Sequence, residues 1–194
     1  MKLKAETRKS EIIQTAAKLF KEKGYSAVTM RDIAAEMGIK AASLYNHITS
    51  KQEILKEIII SLAETFTLGL QDIQKSDSSS IKKLQDIVRL HVSIASQNTY
   101  EMASLNNDWM HLEEKLKYYL ELRLNYEAEF RNIIAQGVKN NEIVNGNVEV
   151  MLFSILSTLR SLYLWIPKKE ELNVENLSEQ LSQVLINGIN NKIN

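Results

Sequence analysis

Ten residues between positions 29 and 51 combine cations, hydroxyls and small side chains in an order suited to gripping a polyanion and reading it. Thr29, Arg31 and Lys51 fall at expected helix starts, where unpaired amide hydrogens and the positive end of the dipole favour phosphate. Lys40, Ala41, Ala42, Ser43 and Asn46 share one short helical stretch. There a lysine can donate to guanine acceptors, alanine methyls can pack on thymine methyls, and a serine can serve either way. Tyr45 and His47 close the stretch, suited to backbone contact or to ordinary packing between helices. A second set, His91, Trp109, Arg123, Tyr126, Arg160 and Trp165, sits on or beside otherwise apolar helical stripes. A charge taken out of water needs a partner. Glu101, Asp108 or Glu127 can supply one, which makes a structural salt bridge. Alternatively, Arg123 and Arg160, with His91 and the aromatic rings, line a pocket for an anion with an apolar tail.

The first set needs a rigid frame, and the run Gly24–Lys51 provides it. Thr29 is a good N-cap, and Asp32 three residues on can complete a capping box, with Val28 and Ile33 placed as a hydrophobic staple. Ile33, Ala34 and Met37 give the helix one apolar face, and Gly38 ends it because glycine accepts the left-handed conformation. Ile39, Ala42, Leu44, Tyr45 and Ile48 supply the apolar side of the next helix. Two short helices about a glycine turn form a helix-turn-helix unit. Ahead of it, Lys2–Lys9 reads as a basic arm, and Ile12, Ile13, Ala16, Ala17, Leu19 and Phe20 recur at helical spacing up to Gly24. Behind it, Ser50 and Glu53 form a second capping box and open a long helix to about Gln74. No Pro/Gly linker intervenes, so the reading end is expected to be stiffly coupled to the body.

The body continues in helices. One of the serines at 78–80 caps a helix with Leu84, Ile87, Val88, His91, Ile94 and Ala95 as its stripe. Residues 98–107 read as a short helix or irregular turn. A long helix is expected from Trp109 to about Val138, another from Asn147 to Ile166 ended by Pro167, the only proline, and a last from Asn173 to about Asn190. Nothing reads as a strand. The fold class is therefore all-α, with an N-terminal three-helix helix-turn-helix domain (1–50) joined to a larger C-terminal helical ligand-binding and dimerisation domain (51–194).

Bulk properties bound the alternatives. Among 194 residues there is no cysteine, which excludes disulfides and thiolate metal sites. The three histidines lack zinc spacing, and no nucleophile-elbow, P-loop or dinucleotide fingerprint occurs, so neither an enzyme nor a bound cofactor or metal is expected. The basic start is not followed by a signal segment, and the longest uncharged run, 150–159, is too short to span a bilayer; a cytoplasmic protein with no membrane partner is expected. Net charge is zero, but residues 1–51 hold ten Lys or Arg against five Asp or Glu, so the remainder carries the matching deficit. A basic end on an acidic body fits a protein that offers one end to phosphate.

Thr29, Arg31, Ile33, Ala34, Gly38, Ile39, Leu44, Tyr45, His47, Lys51 and Leu55 together resemble the N-terminal signature of the TetR family of bacterial transcriptional regulators. Lys40 and Ala42 depart from it, standing where the family usually has a serine and often a glycine, which removes a cap from the second helix. The resemblance implies a repressor that binds a pseudo-palindromic double-stranded operator as a homodimer, with Tyr45 and His47 matching the family's phosphate-contacting pair. The helix from Asn147 is apolar nearly all round, through Val148, Met151, Phe153, Leu156, Leu164 and Trp165, and such a helix must be covered on every side. With the stripe from Leu177 to Ile189 it predicts a four-helix interface between two copies through the last two helices, or a monomer whose own helices cover it. His91-Val92, Arg123-x-x-Tyr126-Glu127 and Trp165-x-Pro167 resemble a branch of the family that responds to acyl-coenzyme A thioesters, which implies a small-molecule effector of that class. A helical lipid or acyl carrier whose N-terminal helices merely pack is the rival reading, and it predicts no salt-sensitive DNA binding.

Overall fold

Ile12, Ala16, Ala17, Leu19 and Phe20 are all buried, which fixes the packed face of α1 (Lys2–Lys23). The computed structural model describes residues 2–169 and 173–188, with side chains from residue 8 onward. The helix already includes Lys2–Lys9, so this run is not an arm standing outside it. Gly24 ends α1 at φ 84°, and a 3₁₀ turn, Tyr25–Ala27, leads into α2 (Met30–Glu36). The capping box expected at Thr29 is present in both directions. Val28 and Ile33, the staple pair, are both buried.

Helix α2 closes in a Schellman arrangement. The Gly38 N–H donates to the Ala35 carbonyl and the Ile39 N–H to that of Ala34, each at 3.0 Å, with Gly38 at φ 66°. Helix α3 (Ala41–Tyr45) follows, and Lys40 at its N-cap makes no side-chain cap bond, as the missing serine foretold. At α4 (Lys51–Lys75) the second capping box is only half formed. The Ser50 hydroxyl accepts from the Glu53 N–H at 3.0 Å, but the Glu53 carboxylate turns to Thr49, which offers it two donors, N–H and hydroxyl, at 2.7 Å each.

The chain divides into two compact units. The first is Met1–Ala63 with Tyr100–Leu120, so α6 (Glu101–Asn107), which packs on α1, belongs with the helix-turn-helix elements. The second is Glu64–Thr99 with Glu121–Asn194. This division follows packing, whereas the boundary at residue 50 divides by role. Trp109 does not open a long helix. Two 3₁₀ turns, Trp109–His111 and Glu113–Lys115, precede α7 (Leu116–Lys139), because Glu113 sits at φ 43°, where an α-helical ladder cannot continue.

In the second unit the stripe of α5 (Ser80–Gln97) is buried as its spacing requires, and Ser79 caps it. A Cβ on Gly69 would lie 2.7 Å from Leu90 Cδ1, so a larger residue there would require the Leu90 side chain to move. The Asn147 helix is not continuous. Helix α8 (Val148–Arg160) ends at Ser161, whose hydroxyl donates to the Ser157 carbonyl, and a separate turn, α9 (Leu162–Trp165), leads into the 3₁₀ segment holding Pro167. Helix α10 (Val174–Asn187) is capped by Asn173 and packs along α5; the expected extension to Asn190, with Ile189, lies outside the described residues. No strand element occurs among the described residues.

One bulk expectation needs correction. The stretch Val148–Lys168 is long and apolar enough, by length and composition, to cross a membrane, with mean hydropathy 1.4. It contains Arg160, however, and the buried face of α8 packs against α5 within the second unit.

Candidate functional site

The short α3 leaves most of its surface open. Leu44 is fully buried and anchors the helix, while Lys40, Ala42, Ser43, Tyr45 and Asn46 are exposed and Ala41 and His47 half-buried. Tyr45 is 52% exposed, far from the packing role that its ring could otherwise have taken. The residues suited to reading bases therefore form one accessible face, and Arg31 on α2 is exposed as well. Thr29 is committed locally. Its hydroxyl and N–H both donate to the Asp32 carboxylate, at 2.6 and 2.8 Å, which holds that carboxyl below its ordinary range.

Lys51 is placed differently from the expectation of a phosphate grip. Its ammonium donates to the carbonyls of Tyr25 and Val28, at 2.8 Å each, and lies 4.2 Å from the centroid of the Tyr25 ring. Partial desolvation lowers its pKa. Gln52 and His111, which sequence reasoning did not single out for this region, complete the surroundings. The Gln52 amide donates to the His111 carbonyl and to Glu113 Oε1, both at 2.8 Å, and the His111 ring stacks on Tyr25. Burial, helped by the charges of Glu113 and Asp108, pushes the Tyr25 hydroxyl up to about 12. No spacing rule links residues 25, 52 and 111, so only the folded chain could reveal this grouping.

Of the second set, two residues bond directly to one another. His91 and Tyr126 meet in the second unit, His91 Nε2 and the Tyr126 hydroxyl sharing a hydrogen bond of 2.8 Å. The Phe66 ring lies 4.6 Å from His91 and at 6.1 Å, edge-on, from Tyr126. Burial, with Arg160 nearby, pulls the His91 pKa down to about 3, so the imidazole is neutral at ordinary pH. Burial raises the Tyr126 hydroxyl despite the opposing charge of Arg160. His91 Nδ1 is buried and has no hydrogen-bond partner.

Beside them, Glu127 binds Arg160 at 2.6 Å and Arg123 at 3.4 Å, making the salt bridge that the sequence offered as one alternative. Burial pushes the Glu127 carboxyl up, but the hydrogen bonds and charges of Arg160 and Arg123 outweigh it and hold it below its ordinary range. Trp165 belongs to the same unit. It is 44% exposed and lines, with Leu162, Leu177 and Leu181, an apolar groove of about 460 Å³. Trp109 belongs to the first unit, its ring 6.0 Å from that of Tyr119. Phe66, on α4, has no motif or spacing that would tie it to His91 from the sequence alone. Among the described residues no group of three or more His, Cys, Asp or Glu is placed to hold a metal ion.

Comparison with known proteins adds an independent line. The model of the family described as bacterial regulatory proteins, tetR family, matches residues 12–58, and the tetracyclin repressor-like C-terminal domain matches residues 77–189. The HTH-type transcriptional repressor KstR2 of Rhodococcus jostii is 25% identical over 185 residues, covering 94% of this chain and 91% of the relative. Among solved structures, the ketosteroid transcriptional regulator KstR2 of Mycobacterium tuberculosis superposes with TM-score 0.89 at 21% identity, over 95% of this chain and 96% of that one. AibR in complex with isovaleryl coenzyme A and operator DNA superposes with TM-score 0.76 at 21% identity, over 96% and 100%.

Proposed function

The chain belongs to the tetR family of bacterial regulatory proteins, and on that premise we propose that it is a repressor whose homodimer leaves a pseudo-palindromic operator when an acyl-coenzyme A thioester binds. It is a helix-turn-helix transcriptional regulator and not an enzyme. Its work is done in the cytoplasm, where its DNA lies, and no membrane takes part.

The observation that carries the DNA reading is the open face of α3. Lys40, Ala41, Ala42, Ser43 and Asn46 are presented for base edges, with Arg31, Tyr45 and His47 around them for phosphate. A lipid or acyl carrier would have no use for a five-residue helix held by one buried leucine with a cation at its tip. One such helix binds weakly alone; two copies reach half-sites about 34–36 Å apart. The apolar side chains of Val150, Phe153 and Val184, on α8 and α10, are 59–73% exposed in the single chain, which supports pairing of these helices with their counterparts in a second copy.

The effector assignment rests on His91 and its neighbours. A buried nitrogen without a partner costs about 1–3 kcal/mol, and a ligand group that supplies the partner recovers it. AibR binds isovaleryl coenzyme A with operator DNA, and the shared fold supports the same class of effector here.

A mobility shift of the full chain on a duplex from its gene's own upstream region, across a salt series, tests the first half; salt-insensitive or absent binding refutes it. Lys40→Ala is expected to change which sequence is preferred, and equal losses on specific and random duplex would contradict its base-reading role. Thermal melting with acyl-coenzyme A esters of graded chain length tests the second half, and no rise in melting temperature at saturation counts against it.

A further inference from the structure

An ammonium has three protons, and at Lys51 at least two of them are used within the chain. Two go to the carbonyls of Tyr25 and Val28, and the charge also sits over the Tyr25 ring. Its donors and its charge are thus directed mainly into the chain itself. Val28 immediately precedes the N-cap of α2, so holding its carbonyl fixes the angle at which the chain enters the helix-turn-helix. Gln52, the next residue, likewise spends its side-chain amide, on the His111 carbonyl and Glu113 Oε1. His111 then stacks on Tyr25, with ring centroids 5.2 Å apart and planes at 26°.

The contacts form a closed circuit: the 25–28 turn to Lys51, along one peptide to Gln52, across to 111–113, and back to the 25–28 turn. Within the first unit, the opening turn of α4 is thereby fastened on both sides. Glu113 contributes from a left-handed backbone conformation (φ 43°) that a non-glycine residue adopts only when its surroundings hold it there.

We propose that Lys51 and Gln52 are positioning residues for DNA binding: they form a latch that holds α2 and α3 in the reading pose, and Lys51 makes no phosphate contact. The proposal rests on the DNA-binding reading above. Opening the latch lowers operator affinity without removing a charge from the interface.

The test uses the full chain with Lys51→Met, Gln52→Leu and Lys51→Arg, on the upstream duplex and on a mixed-sequence duplex. Affinities are measured across a salt series, at a temperature where circular dichroism shows every variant folded. Lys51→Met and Gln52→Leu are each expected to lose at least about tenfold in affinity for the upstream duplex, less on mixed sequence. The slope of log affinity against log salt stays at the wild-type value, because no phosphate contact has gone. Lys51→Arg, which keeps a cation over the ring and donors for the carbonyls, restores part of the loss. A fall of about one in that slope for Lys51→Met, with Gln52→Leu behaving as wild type, would show Lys51 to be a phosphate ligand and overturn the proposal. So would wild-type affinity in both variants. Failure of the wild-type chain to bind either duplex removes the DNA-binding reading and the latch together; binding by wild type with unaffected variants removes the latch alone.

Discussion

The helix-turn-helix and the surroundings of His91 are built on opposite plans. At residues 28–39 the decisive bonds join residues three to five apart: Thr29 with Asp32, Gly38 with Ala35, Ile39 with Ala34. Apart from the Val28 carbonyl, which Lys51 holds, and Glu36, which pairs with Lys18, the polar groups that shape the motif find their partners along the chain, so its internal shape is set chiefly by neighbours in sequence. Around His91 the partners come from different helices, Tyr126 thirty-five residues on and Arg160 from α8, where it meets Glu127 of α7. The local plan produces a small exposed tool of fixed shape. The non-local plan produces an interior assembled from α4, α5, α7 and α8 together, with one nitrogen left unpartnered. A reading head benefits from the first plan, a site that must respond to a ligand from the second.

If that contrast is sound, damage to the second unit's interior should cost most. Phe130 is fully buried, and Phe130→Ala is expected to lower stability by about 3–5 kcal/mol, read by chemical denaturation. A loss under about 1 kcal/mol would mean the interior is not packed as described.

The next effect is one of pH. His91 titrates near 3 in the folded chain against an ordinary 6.5, so the unfolded chain binds the extra proton between those values. The stabilisation is complete above 6.5 and is lost as pH falls toward 3, by about 1.4 kcal/mol per unit, or roughly 2 kcal/mol by pH 5. Glu127, held below its ordinary range, adds a further loss under about pH 4.5. His91→Phe should flatten the slope between pH 6.5 and 5, and an unchanged slope in that variant would assign the effect elsewhere.

Smaller effects are expected at the reading head. Gly38→Ala places a Cβ at φ 66° with open space around it, so the cost is backbone strain alone, about 1–2 kcal/mol. Thr29→Ala removes the cap of α2 and should cost about 1 kcal/mol. Both should weaken operator binding while leaving the acyl-coenzyme A response of the melting temperature in place. A variant of this pair that abolished that response would break the distinction between the two plans.

The sequence by itself determined every feature that short-range chemistry controls: the all-helical class, the Thr29 cap, the Gly38 turn, the uncapped start of α3 at Lys40, the buried stripe of α5, and membership of the family through residues 29–55. It also supplied the candidate partner Glu127. Its errors came where the periodicity of apolar residues runs on through a backbone break, at Glu113 and at Ser161, because side-chain spacing does not record a single left-handed residue or a serine that bonds back to its own helix. Only the tertiary structure decided that Lys51 faces two carbonyls and a ring, that Arg123 and Arg160 share one carboxylate, and that Trp165 lines a groove with Leu162, Leu177 and Leu181. Those outcomes depend on which distant groups are brought within 3–4 Å of a charge, and that is settled by helix packing, which no pattern along the chain encodes.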